Sequence, residues 1–310
     1  MAPGRDLSAA SGVRSWRQRQ FVCSSLYSGQ MERRILLIDV FGREAMKGNQ
    51  LAVVVDSDGL SDEAMLEITR WFGFSETTFL LPPSADEADY RVRIFTLAGE
   101  LPFAGHPTLG TCHAWAGLTG GSGDEAVQEC GAGLVKLANA DGRWSFEAPP
   151  LIRSGEVDPV ELAEFAHVLG IDVSDIVAAS WADNGPGWVG ILVRDAETAL
   201  ALEPDFSRHP KEGQLDIGVV GFHPTGSETL YEVRAFFSDQ NGKMLEDPVT
   251  GSLNASLAGW LVGDGRASPP YVASQGTALG RRGRVHITGD ADSIWVGGNT
   301  FTISEGTLYA

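Results

Sequence analysis

The chain has 310 residues, 43% of them hydrophobic, and a formal charge of −18. That length can bury a large core and favours two domains. The acidic balance argues against nucleic acid and anionic membrane as partners, because both need basic patches. Its 38 glycines, well above the usual ~7%, point to many tight turns between short strands, with few helices. Cys23, Cys112 and Cys130 form no paired framework and no metal spacing, as expected of reduced thiols in a cytoplasmic protein. No apolar run reaches the ~18–20 residues of a membrane span.

Residues 1–30 differ from the rest, with Arg5, Arg14, Arg17 and Arg19 against the single acid Asp6. They read as a disordered extension or an upstream start, with Met31 opening the fold; a transit peptide is the rival reading. Ile35 to Val40 is a first strand, and the Gly48-Asn49 turn feeds a second from Leu51 to Asp56, a hairpin-like pair. Ser61 caps a helix that runs to about Phe72, with Ala64, Leu66, Ile68 and Trp71 as its apolar positions and Gly73 as its stop. Ser75 to Leu81 and Tyr90 to Thr96 are strands, separated by a loop over Pro82 to Ala88. A helix follows from about Pro107, apolar or small all round and therefore buried.

Gln128 to Ala148 reads as two strands joined by an Asp141-Gly142 turn, and Pro149-Pro150 as a linker. Residues 158–171 form a modest helix, capped by Asp158 with Pro159 at its first position. A turn from Asn184 to Gly187 precedes the strand Trp188 to Val193. Strands follow at Asp216 to Phe222 and Leu230 to Phe237, then a polar loop over 238–245. Ser252 to Leu261 is a second buried helix. Gln275 to Gly280, Arg284 to Thr288 and Ser293 to Val296 finish the chain as turns and strands.

One pattern recurs. Tyr90, Val92, Arg93 and Phe95 are echoed by Tyr231, Val233, Arg234 and Phe236, and Glu100, Pro102 and Gly105 by Glu246, Pro248 and Gly251 at the same spacing. Trp115 and Trp260 follow the two glycines at nearly equal distance. This reads as a duplication: strand, glycine turn, buried helix, twice. Two helix N-termini aimed at one seam make an anion site that needs no lysine.

Familiar nucleotide and metal signatures are missing. Gly131 and Gly133 lack the third glycine of a dinucleotide loop, where Lys136 stands, and no Walker loop is present. The six histidines show no metal spacing, so no cofactor is expected. Arg281, Arg282 and Arg284 read as a solvated hairpin. Glu76 opens an otherwise apolar strand; it is either a solvated edge residue or, if buried near substrate, a carboxyl raised into the range useful for proton transfer. His106, Asp247 and Ser252 each have a plain structural reading, as a satisfied histidine, a turn acceptor and a helix cap. All three nevertheless sit at the two duplicated helix starts.

The segments Asp39 to Val53, Ser75 to Phe79, Arg93 to Gly110, Glu246 to Ser252 and Gln275 to Arg281 resemble the PhzF-like family of phenazine-biosynthesis isomerases, in the family's order from about Met31 to the C-terminus. The resemblance implies an α+β, diaminopimelate-epimerase-like fold. Its two pseudo-symmetric halves, each a curved mixed sheet around a buried helix, would cover 31–148 and 149–310, with the last strand packing back on the first half. It implies Glu76 as general acid/base, with His106 and Asp247 as further catalytic positions. Gly105, Gly251, Ser252 and Asn49 would bind substrate, the glycines through backbone N–H groups. Related epimerases carry a cysteine before each glycine; Ala104 and Thr250 stand there, which disfavours a two-thiol reaction. Gln50 and Arg282-Gly283 depart from the family pattern, which carries proline after Gly-Asn and Pro-Ser at the later site.

The function expected is a cofactor-independent isomerase of a small carboxylic acid. A racemase, epimerase or lyase using the same pocket, or a non-catalytic small-acid binding protein, remains open at this point. So does assembly as a homodimer.

Overall fold

A computed structural model describes residues 31–120, 123–208, 215–238 and 243–310; the extension read over 1–30 lies outside the described residues. The first stretch holds β1 (Glu32–Val40), β2 (Asn49–Val54), α1 (Asp62–Phe72), β3 (Glu76–Leu81), β4 (Tyr90–Thr96) and β5 (Glu100–Leu101). It continues with α2 (Gly105–Thr119), β6 (Glu125–Cys130), β7 (Gly133–Ala140) and β8 (Arg143–Glu147). After Pro149 and Pro150 come β9 (Arg153–Gly155), α3 (Pro159–Leu169), β10 (Ile176–Asp183), β11 (Trp188–Val193), α4 (Ala196–Ala201) and β12 (Asp216–Phe222). Then follow β13 (Tyr231–Ser238), β14 (Met244–Asp247), α5 (Gly251–Gly263), β15 (Tyr271–Gln275), β16 (Gly283–Gly289), β17 (Ile294–Gly298) and β18 (Thr300–Tyr309). The chain is α+β, mostly mixed sheet with few helices.

The pairings repeat. β2 runs parallel to β3, which is antiparallel to β4; β4 is parallel to β6, and β6, β7 and β8 form antiparallel hairpins. β11, β12, β13, β15, β16 and β17 follow the same order with the same directions. β8 and β17 join antiparallel, and β18 returns to pair with β1 along most of its length.

Helices α2 and α5 lack a polar face, so neither can lie on a surface. Leu109, Cys112 and Ala114 of α2 are buried, as are Leu253, Leu257 and Leu261 of α5, all in one core cluster that takes in side chains from both stretches. A separate cluster under α1 packs Met65 and Ile68 on Ile35, Val54, Phe79 and Phe95.

Several sequence expectations shift. α2 starts two residues before Pro107, at Gly105, so the proline is its third residue. In α1 the buried face is Met65, Ile68 and Thr69, and Trp71 is 79% exposed. The expected apolar stripe is therefore rotated by about one position, ~100° on a helix. Gln128 to Ala148 holds parts of three strands rather than two, because Gly131 and Ala132 form a tight turn between β6 and β7. A Cβ on Gly131 would meet the Pro102 Cα at 2.8 Å, so that glycine serves a close backbone approach. Gln275 to Gly280 is a short helical turn after β15, and β10, α4 and β18 carried no separate signal. The polar loop over 238–245 ends in β14, and its residues 239–242 lie outside the described residues.

The arginine cluster does sit on a hairpin, between β15 and β16, with Arg282 exposed, and the turn also makes contacts across the chain. Arg282 N–H donates to the Lys47 carbonyl at 2.7 Å and Arg43 N–H to the Arg282 carbonyl at 2.9 Å, so the turn between β15 and β16 clasps loop 41–48. Arg281 Nη2 donates to Gln50 Oε1 at 2.8 Å and Arg282 pairs with Glu44 at 3.1 Å.

The two buried helices meet start to start. A Cβ on Gly105 would lie 2.9 Å from the Gly251 Cα and 2.8 Å from Phe146 Cζ. Gly105→Ala should therefore cost about 1–3 kcal/mol, as overpacking does. Gly117→Ala on the same helix opens into empty space and should be neutral or stabilising by up to ~1 kcal/mol. Urea unfolding of the two variants separates them; equal stabilities would contradict this packing.

Candidate active site

Neither α2 nor α5 has a side-chain cap at its N-terminus. Their first-turn N–H groups, including those of Gly105, His106, Gly251 and Ser252, therefore point from two directions into one seam without capping acceptors. A cleft of about 1610 Å³ opens beside it. Glu76, Asp247 and Ser252 line the cleft with apolar walls such as Phe74, Leu151 and Trp188. Asn49, His106, Gly105 and Gly251 are buried beneath that wall.

Four of the expected residues converge. β3 delivers Glu76 at its first position, and Glu76 Oε2 lies 3.4 Å from His106 Nε2. Asn49 Nδ2 donates to Asp247 Oδ1 at 3.1 Å and to the Val249 carbonyl at 2.9 Å. Those bonds use both amide hydrogens, so the 3.5 Å approach of Asn49 Nδ2 to His106 Nδ1 is a contact only. Asn49 owes its position to Asp39, whose carboxylate accepts from Gly48 N–H at 2.9 Å and Lys47 N–H at 3.2 Å.

Electrostatics separate the three titratable groups. Burial pushes Glu76 up to about 8, with the Asp247 charge adding to the rise. Burial lowers His106 to about 3, opposed by a hydrogen bond with the Gln50 backbone, so the imidazole is neutral at pH 7. Burial also raises Asp247, to about 6, against the hydrogen bonds from Thr250 and Asn49 that favour its charge. At pH 7 the site therefore pairs a protonated Glu76 with an ionised Asp247 beside a neutral histidine. Such separation lets one carboxyl give a proton while its neighbour stays charged.

Ser252 stands apart from this group. Its Oγ accepts from Trp188 Nε1 at 3.1 Å, and its carbonyl accepts from Asn184 Nδ2 at 3.0 Å. Two positioning residues escaped the sequence reading. Thr250, noted there only as the residue in place of a cysteine, donates Oγ1–H to Asp247 Oδ2 at 2.5 Å. Gln275 donates to Thr250 Oγ1 at 3.0 Å and to the Asp247 carbonyl at 3.1 Å, and accepts from Asn254 at 2.8 Å. Gln275 stood in a quoted motif without a role; its partners lie 21 to 28 residues away, beyond any local pattern.

Among the described residues no group of three His, Cys, Asp or Glu side chains could hold a metal ion, and no helix is long and apolar enough to cross a membrane.

Comparison with known proteins follows the same lines. Residues 38–306 match the PhzC-PhzF family, phenazine biosynthesis-like protein. The chain is 34% identical over 292 residues to antisense-enhancing sequence 1 of Schizosaccharomyces pombe, covering 88% of this chain and 97% of that one. It is 32% identical over 291 residues to trans-2,3-dihydro-3-hydroxyanthranilate isomerase of Pseudomonas aeruginosa, covering 89% and 99%. Among solved structures, a predicted epimerase from Pseudomonas aeruginosa superposes with a TM-score of 0.72 at 27% identity, over 89% of this chain and 99% of that one. The match along nearly the whole fold, with relatives above 30% identity at full length, makes this chain a member of the phenazine biosynthesis-like PhzC-PhzF family, and an isomerase.

Proposed function

We propose that the protein isomerises a small carboxylic acid by acid/base proton transfer at carbon, without a cofactor. The observation that carries this reading is the pairing of Glu76, raised to about 8, with His106 at 3.4 Å beside two uncapped helix starts. The substrate carboxylate sits against the first-turn N–H groups of α2 and α5, where the helix dipoles favour negative charge. The same groups stabilise the enolate-like charge that develops when a proton leaves carbon. Protonated Glu76 gives its proton to one carbon, and the proton that leaves the other passes to an ionised carboxylate of the cleft. Neutral His106 and ionised Asp247 orient the substrate, and Asn49, Thr250 and Gln275 hold Asp247 in position.

The architecture fits this reading. The repeated strand pairings support two halves, 31–148 and 149–310, of diaminopimelate-epimerase type, with β18 returning to β1. Free thiols at Cys112 and Cys130 are consistent with a cytoplasmic setting.

Deuterium wash-in tests the chemistry. In D2O the protein should exchange a substrate C–H, with trans-2,3-dihydro-3-hydroxyanthranilate and a panel of small cyclic carboxylic acids as probes. Glu76→Gln keeps the volume and should lower exchange by at least ~10²-fold while carboxylate binding persists. Full exchange in a folded Glu76→Gln protein would overturn the assignment, and binding without exchange by the unaltered protein would make this a binder.

The pH dependence follows from the same groups. Activity should need Asp247 ionised and Glu76 protonated, giving a bell with limbs near pH 6 and 8 that belong to the coupled pair. Stability has a defined sign too. Glu76 titrates higher in the folded state than its ordinary 4.5, so the native protein holds a proton that the unfolded chain has released. The Glu76 contribution is therefore full below about pH 4.5 and is lost as pH rises through 8. From about pH 6.5 upward, above the range in which His106 and Asp247 titrate, Glu76→Gln should remove that slope in urea unfolding. An unchanged slope would contradict a buried, raised Glu76.

A further inference from the structure

The strand register pairs Glu76 with a residue no motif marks. In β3 and β4, Glu76 stands opposite Thr96, one position after Phe95. In β12 and β13, Asp216 stands opposite Phe237, one position after Phe236. Because Phe95 and Phe236 occupy equivalent places in the repeated strand motif, Asp216 is the counterpart of Glu76.

The faces agree as well. Thr78, two residues after Glu76, meets α2 through a 2.9 Å hydrogen bond from Thr111 Oγ1. A Cβ on Gly218, two residues after Asp216, would meet the Leu253 side chain of α5 at 2.3 Å. Alternation along a strand then turns Glu76 toward α2 and Asp216 toward α5. Asp216 is 6% exposed and lines the same cleft as Glu76. Its parallel-strand neighbour Trp188 is hydrogen-bonded to Ser252, the second residue of α5, as His106 is the second of α2.

We infer that Asp216 is a second substrate-facing acid/base carboxyl group, acting from the side of the carboxylate seat opposite Glu76. The inference rests on the helix-start reading above. In the step it allows, a C–H bond on the Asp216 side breaks, its electron pair enters the π system conjugated to the substrate carboxylate, and its proton passes to Asp216. A new C–H bond forms on the Glu76 side with the proton that Glu76 held. The reverse step, or exchange with solvent, resets both groups, and nothing is oxidised or reduced.

A small anionic alkylating agent tests the placement without knowledge of the substrate. Glu76→Cys and Asp216→Cys, each in the full chain, are treated with iodoacetate and with neutral iodoacetamide, and the labelled residue is located by peptide mass mapping. Both introduced thiols should react about tenfold faster with iodoacetate, steered by the helix N-termini, and benzoate should slow both. Selectivity at position 76 but not at 216 overturns this inference and leaves the proposed function standing. Selectivity at neither overturns the carboxylate seat itself. Should Asp216→Cys fail to fold, Asp216→Asn serves instead: removing a facing negative charge should tighten benzoate binding about 3–10-fold, and unchanged or weaker binding refutes the placement.

Discussion

Two helix starts abut at Gly105 and Gly251, and the rest of the site depends on that contact. Each N-terminus carries roughly +0.5 charge from its aligned peptide dipoles. Bringing two together in a buried seam is unfavourable unless an anion faces them. Glycine at both positions lets the backbones touch, since any Cβ would lie 2.9 Å from the opposing Cα. The absence of side-chain caps leaves the N–H groups for something else. Asp247, four residues before α5, supplies a fixed negative charge nearby, and in the proposed mechanism the substrate carboxylate supplies another.

The same burial sets the protonation states. A seam rich in positive helix ends and poor in water disfavours an imidazolium, consistent with His106 lowered to about 3. Glu76 feels burial and the Asp247 charge together, so its proton stays on at neutral pH. Asp247 remains charged because Thr250 and Asn49 donate to its two oxygens. Asn49 in turn is fixed by a loop that Asp39 pins from within and the β15–β16 turn clasps from the other stretch of chain. A change at Asp39 or Gln275 would thus reach the proposed proton carrier, Glu76, through Asp247 without touching it.

Much of this was legible in the sequence, for identifiable reasons. Strands such as Tyr90–Thr96 and Trp188–Val193 announce themselves by apolar content between turn residues, and α1 by its Ser61 cap and Gly73 stop. The echo of Glu100, Pro102 and Gly105 at Glu246, Pro248 and Gly251 led to both helix starts and to His106, Asp247 and Ser252, whereas Glu76 stood out as the carboxylate opening an otherwise apolar strand. Properties set by long-range pairing were not legible. Trp71 looked like core because local spacing does not fix which face of a helix the sheet will cover. Thr250 and Gln275 gained roles only when β15 came beside α5. Asp216 had no motif, since its likeness to Glu76 lies in strand register and not in residue type.

The proposed chemistry requires Glu76 to be a buried carboxyl group still carrying its proton at neutral pH. Carbon-13 NMR of protein labelled at glutamate side-chain carboxyls, compared with Glu76→Gln to assign the resonance, measures it directly. One carboxyl carbon should titrate near pH 8 and disappear in the variant. A Glu76 resonance already in its ionised position at pH 6 would contradict it.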